Sequence, residues 1–279
     1  MKTVIVKPQN EILRSHIEYF LFLKKSDNNL LSYSTFPNNN ICLAIYKENH
    51  INYNNVPNYN DCVITKGNSF FSSRLYGFHK RPFNVNINSD LDQICIVFYP
   101  SALRAFTHES YDDLMKYDNV FDIFTGKDDY MLERIFEENE FSKRAEKLEQ
   151  ILLKNLKFKV PDKIKEAFQI ISKYNNNDLA IESLAKKLDI STPTLFRLFK
   201  NHLGQNPKSY LKTIRFRYAL NEILNKNDNT LTSITFSSQF YDQAHFIHEI
   251  KSFSGYSPKQ LFDKASIQQD ALVWIYNNK

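Results

Sequence analysis

The stretch "NHLGQNPKSYL", Asn201 to Leu211, returns 51 residues later as "SFSGYSPKQLF", Ser252 to Phe262. Gly204 falls on Gly255, Pro207 on Pro258 and Leu211 on Phe262, and just upstream Lys200 falls on Lys251. The apolar positions before them correspond too, Leu195 with Phe246 and Phe199 with Ile250. Leu184 and Ala185 match Ile234 and Thr235 at an offset of 50, so the second copy carries one extra residue in between. This is a duplicated supersecondary unit.

Each copy has the grammar of a helix-turn-helix: a short amphipathic helix ("IESLAKKL"; "LTSITFSS"), a tight turn and a capped second helix. Ser191 and Asp242 stand where N-caps are needed, and Pro193 sits in the first turn of its helix. Gly204 and Gly255 end the second helices in the left-handed conformation that a β-carbon disfavours. Between the copies, "NPKSYLKTIRFRYALNEILNK" has no glycine, and no proline after Pro207. It predicts a helix over 207–225, roughly 28 Å long at ~1.5 Å per residue. Such a rod would hold two second helices about one DNA turn (~34 Å) apart, a spacing that reaches successive major grooves.

Outward from this core the periodicity divides the chain. Up to about Pro100, "IEYFLFLK", "NICLAIYKENHINYN", "DCVITKG", "PFNVNINS" and "QICIVFYP" are short, rich in β-branched and aromatic residues, and punctuated by turn formers. They predict a small antiparallel barrel or sandwich. From Ser101 the pattern is helical, in "YDDLMKYDNVFDIF", "DYMLERIFEE" and "KRAEKLEQILLKNL". Ala145, Leu148, Leu152 and Leu156 form one stripe, suited either to packing on its own domain or to a dimer seam. "KFKVPDK" around Pro161 reads as a linker, and everything after it reads as helical. The expected class is α+β: an N-terminal β barrel with helices over 1–160, then an all-α domain over 161–279 with its core at 178–262. Residues 1–159 hold equal numbers of basic and acidic side chains, so the formal charge of +5 belongs to the C-terminal part, which favours a polyanionic partner.

Several functions lack their residues. No apolar run reaches the ~20 residues of a membrane span, and the N-terminus lacks a secretion signal, so a cytoplasmic protein with no membrane partner is expected. Cys42, Cys62 and Cys95 are odd in number and set in apolar segments, as buried thiols are. His16, His50, His79 and His108 stand apart, and His245 and His248 have no third ligand nearby, so no metal and no cofactor are expected. A chain with five glycines has no phosphate-cradling loop, and no nucleophile elbow is present, so the protein is not expected to be an enzyme.

"LAKKLDISTPTLFRLFKNHLG", "NPKSYL" followed by "IRFRYALNEIL", and "QFYDQAHFIHEIKSFSGYSP" occur in an order and at spacings that resemble the DNA-binding domain of AraC/XylS-type transcription regulators, from about Asp178 to Phe262. "TFPNNNICLAIY" and "ICIVFYPSALRAFTHESYDDL" resemble the attached sensor regions, which implies a cupin-like fold. The resemblance implies a bacterial activator or repressor, with double-stranded promoter DNA as its partner. RNA polymerase, a small-molecule effector and a second copy of the chain are further partners it allows. The alternative is a metal-independent enzymatic or protein-interaction domain carried on a DNA-binding module. Three departures stand out: Thr235 and Gln239 where the family has Ala and Gly, and His248 where Arg is common.

With Leu195, Leu198 and Phe199 turned inward, Thr192, Pro193, Phe196, Arg197 and Lys200 are left to face DNA on the first recognition helix. Arg197 suits guanine O6 and N7 or a phosphate, and Phe196 and Pro193 suit thymine methyls. On the second helix Phe246 and Ile250 are core, leaving Gln243, Ala244, His245, Ile247, His248 and Lys251. Gln243 suits adenine, and the histidines suit N7 or phosphate. Lys208, Lys212, Arg215 and Arg217 on the connecting helix are expected to divide between phosphates and internal partners. "YGFHKRPF", Tyr76 to Phe83, reads as a solvated loop.

Overall fold

The computed structural model describes residues 1–56, 59–126, 128–174, 179–225, 231–238, 240–268 and 272–277. Gln239 and Asp178 lie outside the described residues. Among the rest, strands β1 (Lys2–Val6), β2 (Ile17–Lys25), β3 (Leu31–Thr35), β4 (Ile41–Val56), β5 (Tyr59–Tyr76), β6 (Phe83–Ile87), β7 (Leu91–Phe98), β8 (Ser266–Gln268) and β9 (Leu272–Tyr276) form one curled sheet. Its order is β1-β2-β7-β4-β5-β6-β3-β9-β8. The pairings are antiparallel apart from β5 with β6, which run parallel, a departure from the purely antiparallel expectation.

The sheet is covered on both faces, which is why β2 reads as a continuous apolar run instead of an alternating one. Phe20 and Phe22 point into a core shared with the helices, while Tyr19, Leu21 and Leu23 point into the concave interior. The long β4–β5 hairpin carries a local irregularity. Register slips between Lys47 and Asn49, and Glu48 takes a positive φ of 56°. Opposite it, a Cβ on Gly67 would lie 2.6 Å from the Asn49 carbonyl carbon, so this crossing of two backbones admits only glycine.

Helices α1 (Tyr111–Leu114), α2 (Val120–Thr125), α3 (Asp129–Phe136) and α4 (Phe141–Lys154) pack on the convex face. The Ala145, Leu148 and Leu152 stripe is buried there, so it serves its own domain and is not a dimer seam. Arg144, 1% exposed, fixes α4 to β7 by donating to both carboxylate oxygens of Asp92 at 2.6 and 3.1 Å. The expected linker does not run free. The amides of Lys157 and Phe158 both donate to the Ala105 carbonyl at 3.0 Å, and Val160 is buried.

Beyond Pro161 come α5 (Asp162–Lys173), α6 (Ile181–Lys187), α7 (Thr192–Leu203), α8 (Pro207–Leu224), α9 (Leu231–Ser237), α10 (Gln243–Ser254) and α11 (Pro258–Lys264). The core of α5, α6 and α7 is continuous with that of the sheet, whereas α8 to α11 build a separate core around Phe216, Leu220, Phe246 and Ile250. The helical reading ends at Lys264. The tail turns back as the β8–β9 hairpin and pairs with β3, Tyr33 opposite Tyr276 and Thr35 opposite Trp274. Short apolar runs such as "LVWIY" carry no period that separates strand from buried helix, and the partner here is more than two hundred residues away. No described helix is long and apolar enough to cross a membrane.

Candidate nucleic-acid interface

Two helix-turn-helix units, α6–α7 and α9–α10, flank α8. In each, the sequence sets the start and the end of the second helix. Ser191 Oγ accepts from the Thr194 amide at 3.3 Å, and Asp242 Oδ1 accepts from the His245 amide at 2.7 Å. Gly204 and Gly255 close the helices at φ of 69° and 75°. Thr235, where the resembling family has alanine, is buried, and its hydroxyl donates to the Leu231 carbonyl at 2.7 Å. The buried Thr235 hydroxyl is therefore satisfied within its own helix. The 18 residues of α8 span roughly 27 Å.

On α7, Leu195 and Phe199 are buried, while Pro193, Phe196, Arg197 and Lys200 are exposed and Thr192 is half-buried. On α10, Gln243, Ala244, His245, His248 and Lys251 are exposed. Ile247, expected on that face, is partly buried against the core of the second unit. The expected contact residues thus share one solvent-facing side of each recognition helix.

Three of them are already engaged. Lys200 Nζ lies 3.4 Å from Asp112 on α1, so the first recognition helix is tied to the N-terminal part. Gln243 Nε2 donates one of its two hydrogens to Thr232 Oγ1 at 2.6 Å. His245 sits 3.8 Å from Glu249 and edge-on to Phe240. Among the described residues no group of three or more His, Cys, Asp or Glu is placed to hold a metal.

The cations of α8 divide. Lys212 and Arg215 donate to the two oxygens of Glu249 at 2.8 and 2.9 Å, and Arg215 also lies over the Phe240 ring. Burial pushes the Glu249 carboxyl up, but the hydrogen bonds and charges of Lys212 and Arg215 outweigh it and hold the group below its ordinary value. Lys212 and Arg215 therefore fasten α10 to α8. Lys208 remains exposed. Arg217 turns the other way and lines a cavity inside the sheet.

Sequence reasoning missed Glu249, which is buried between Lys212 and Arg215. It also missed Tyr241, 89% exposed immediately before the Asp242 cap. It undervalued the 76–83 loop. Phe78 and Lys80 border a groove with Phe196, Arg197 and Lys200, while Pro82 abuts Gly255 of the second unit. His79 of the same loop faces the sheet cavity, where burial pushes its pKa down to about 4.

The helix-turn-helix domain family matches residues 184–264, and residues 6–118 match a domain of unknown function, DUF6597. The C-terminal segment is an AraC-type helix-turn-helix domain. The chain is 34% identical over 80 residues to the HTH-type transcriptional activator RhaS of Escherichia fergusonii, a match covering 29% of this chain and 28% of that protein. It spans between 28% and 40% of the first three curated relatives it matches. Among solved structures, the C-terminal domain of AraT, a response regulator from Geobacillus stearothermophilus, is 26% identical. That match covers 40% of this chain and 93% of the other with a TM-score of 0.37. ToxT from Vibrio cholerae matches 88% of this chain and 97% of its own at 12% identity and a TM-score of 0.44.

Proposed function

We propose that the chain is a sequence-specific transcription regulator whose AraC-type domain reads two successive major grooves of promoter DNA and whose N-terminal sheet senses a small molecule. The observation that carries the reading is the pairing of two capped recognition helices, each with an exposed polar face, on the single helix α8. The relatives named as transcriptional activators support regulation of transcription, and activation in particular. Base reading falls to Arg197, Phe196 and Gln243, and phosphate contact to Lys200, Lys251 and His248.

The sensing role is supported by a cavity of about 180 Å³ inside the curled sheet. Tyr33, Tyr76, Phe83 and Trp274 line it with apolar surface, and Arg217 adds a cation. Such a mixture suits a small, mainly apolar ligand with a polar end. Selection of bound duplexes from genomic fragments tests the reading: discrete sites are expected, and binding blind to sequence would overturn it.

A further inference from the structure

Strand β9 belongs to two compartments at once. Trp274, 3% exposed, stacks on Tyr33 at a ring separation of 4.6 Å and lines the sheet cavity. Val273 and Ile275, its neighbours on either side, are buried in the core that seats α10, with Phe246 and Ile250. Period-2 alternation makes this a property of the strand: Trp274 walls the cavity with Leu272 and an edge of Val273, while Ile275, which does not line it, and the body of Val273 support the second reading unit. Phe36, just after β3, repeats the arrangement. It lines the cavity, belongs to the same second core and meets Tyr256 edge-on at 6.4 Å. Arg217 completes this side of the cavity from α8, the helix that Lys212 and Arg215 tie to α10.

We propose that β9 is a transmitting wall, through which the state of the sheet cavity sets the seating of the second recognition helix and DNA on that helix alters the cavity in turn. The inference rests on the DNA-binding reading above. Among the described residues β9 pairs with β3 and the short β8, so an occupant that displaces Trp274 shifts β9, and Val273 and Ile275 move with it under α10. The first unit meets the sheet differently: the core of α7 runs on through α5 and α6 to the convex side of β2 and β7, strands in the body of the sheet. Coupling between two binding sites is reciprocal, so the DNA-to-cavity direction can be measured without knowing the ligand.

Trp274 is the chain's only tryptophan, so its emission reports the cavity directly. The full-length protein is titrated with a fluorophore-labelled duplex obtained by selection, whose anisotropy reports binding independently. Trp274 emission is expected to change and to saturate at the same duplex concentration as the anisotropy. Ile275→Ala, which trims only the side facing the second unit, is expected to bind the duplex but to show at least about a twofold smaller emission change, because the mechanical link is cut. Rising anisotropy with constant wild-type emission overturns the transmitting wall while leaving DNA binding intact. An undiminished emission change in Ile275→Ala overturns it as well. Anisotropy that stays flat with every selected duplex sinks the DNA-binding reading, and the transmitting wall falls with it.

Discussion

Arg197 and Arg215 carry the same charge and do opposite work. Arg197 is exposed on α7 with its guanidinium available to a base edge or phosphate, whereas Arg215 is spent on Glu249. Arg197→Ala is expected to weaken binding to a selected duplex by about 1 to 3 kcal/mol with no loss of thermal stability, measured by anisotropy titration and by melting. Glu249→Gln removes a buried carboxylate between two cations and is expected to cost about 1 to 3 kcal/mol of local stability in α10, measured by amide exchange. Because Glu249 is held below its ordinary value of 4.5 in the folded chain, its contribution is complete above that pH and is lost as pH falls through the lower folded value. The difference between wild type and Glu249→Gln should therefore shrink in acid. A third site is purely structural. Asp92→Ala leaves the buried Arg144 guanidinium with the Phe136 and Glu138 carbonyls but without its counter-charge, and an about 3 to 5 kcal/mol loss in unfolding experiments is expected.

At the scale of elements, joints between helices and sheet matter most. Gly204 ends α7 with a positive φ, and a Cβ there would come within 2.4 Å of the Tyr111 ring on α1. Gly204→Ala is expected to lower the melting temperature more than Gly126→Ala, where φ is also positive but nothing lies within 4 Å. What was legible in the sequence follows from how local its cause is. Ser191, Asp242, Gly204 and Gly255 act on their own helix ends, so both units could be placed from residue type and spacing. Strands β1, β3 and β9 could not, because "KTVIV", "LSYST" and "LVWIY" become strands only through partners far away in the chain. The same holds for side chains: nothing in the order of residues says that Lys212 and Arg215 face Glu249, or that Arg217 turns into the sheet. Those directions depend on how α8 is rotated against its neighbours.

The whole molecule is held together by more than its linker. One core runs from the sheet through α7, and the tail hairpin returns from the second unit to β3. Lys200 bound to Asp112, and the 76–83 loop beside both units, place the N-terminal part against the proposed reading face. In the proposed reading a phosphate contact of Lys200 competes with Asp112, and Asp112→Asn is expected to strengthen binding at low salt while steepening its salt dependence. The central proposal is geometric: that α8, roughly 27 Å long, sets two recognition helices about one helical repeat apart within a single polypeptide. Hydroxyl-radical footprinting of the full-length protein on a selected duplex tests this most directly. Two protected patches on one face of the DNA, about 10 base pairs apart, are predicted for a single bound chain. One patch alone, or protection spread evenly around the duplex, would contradict it.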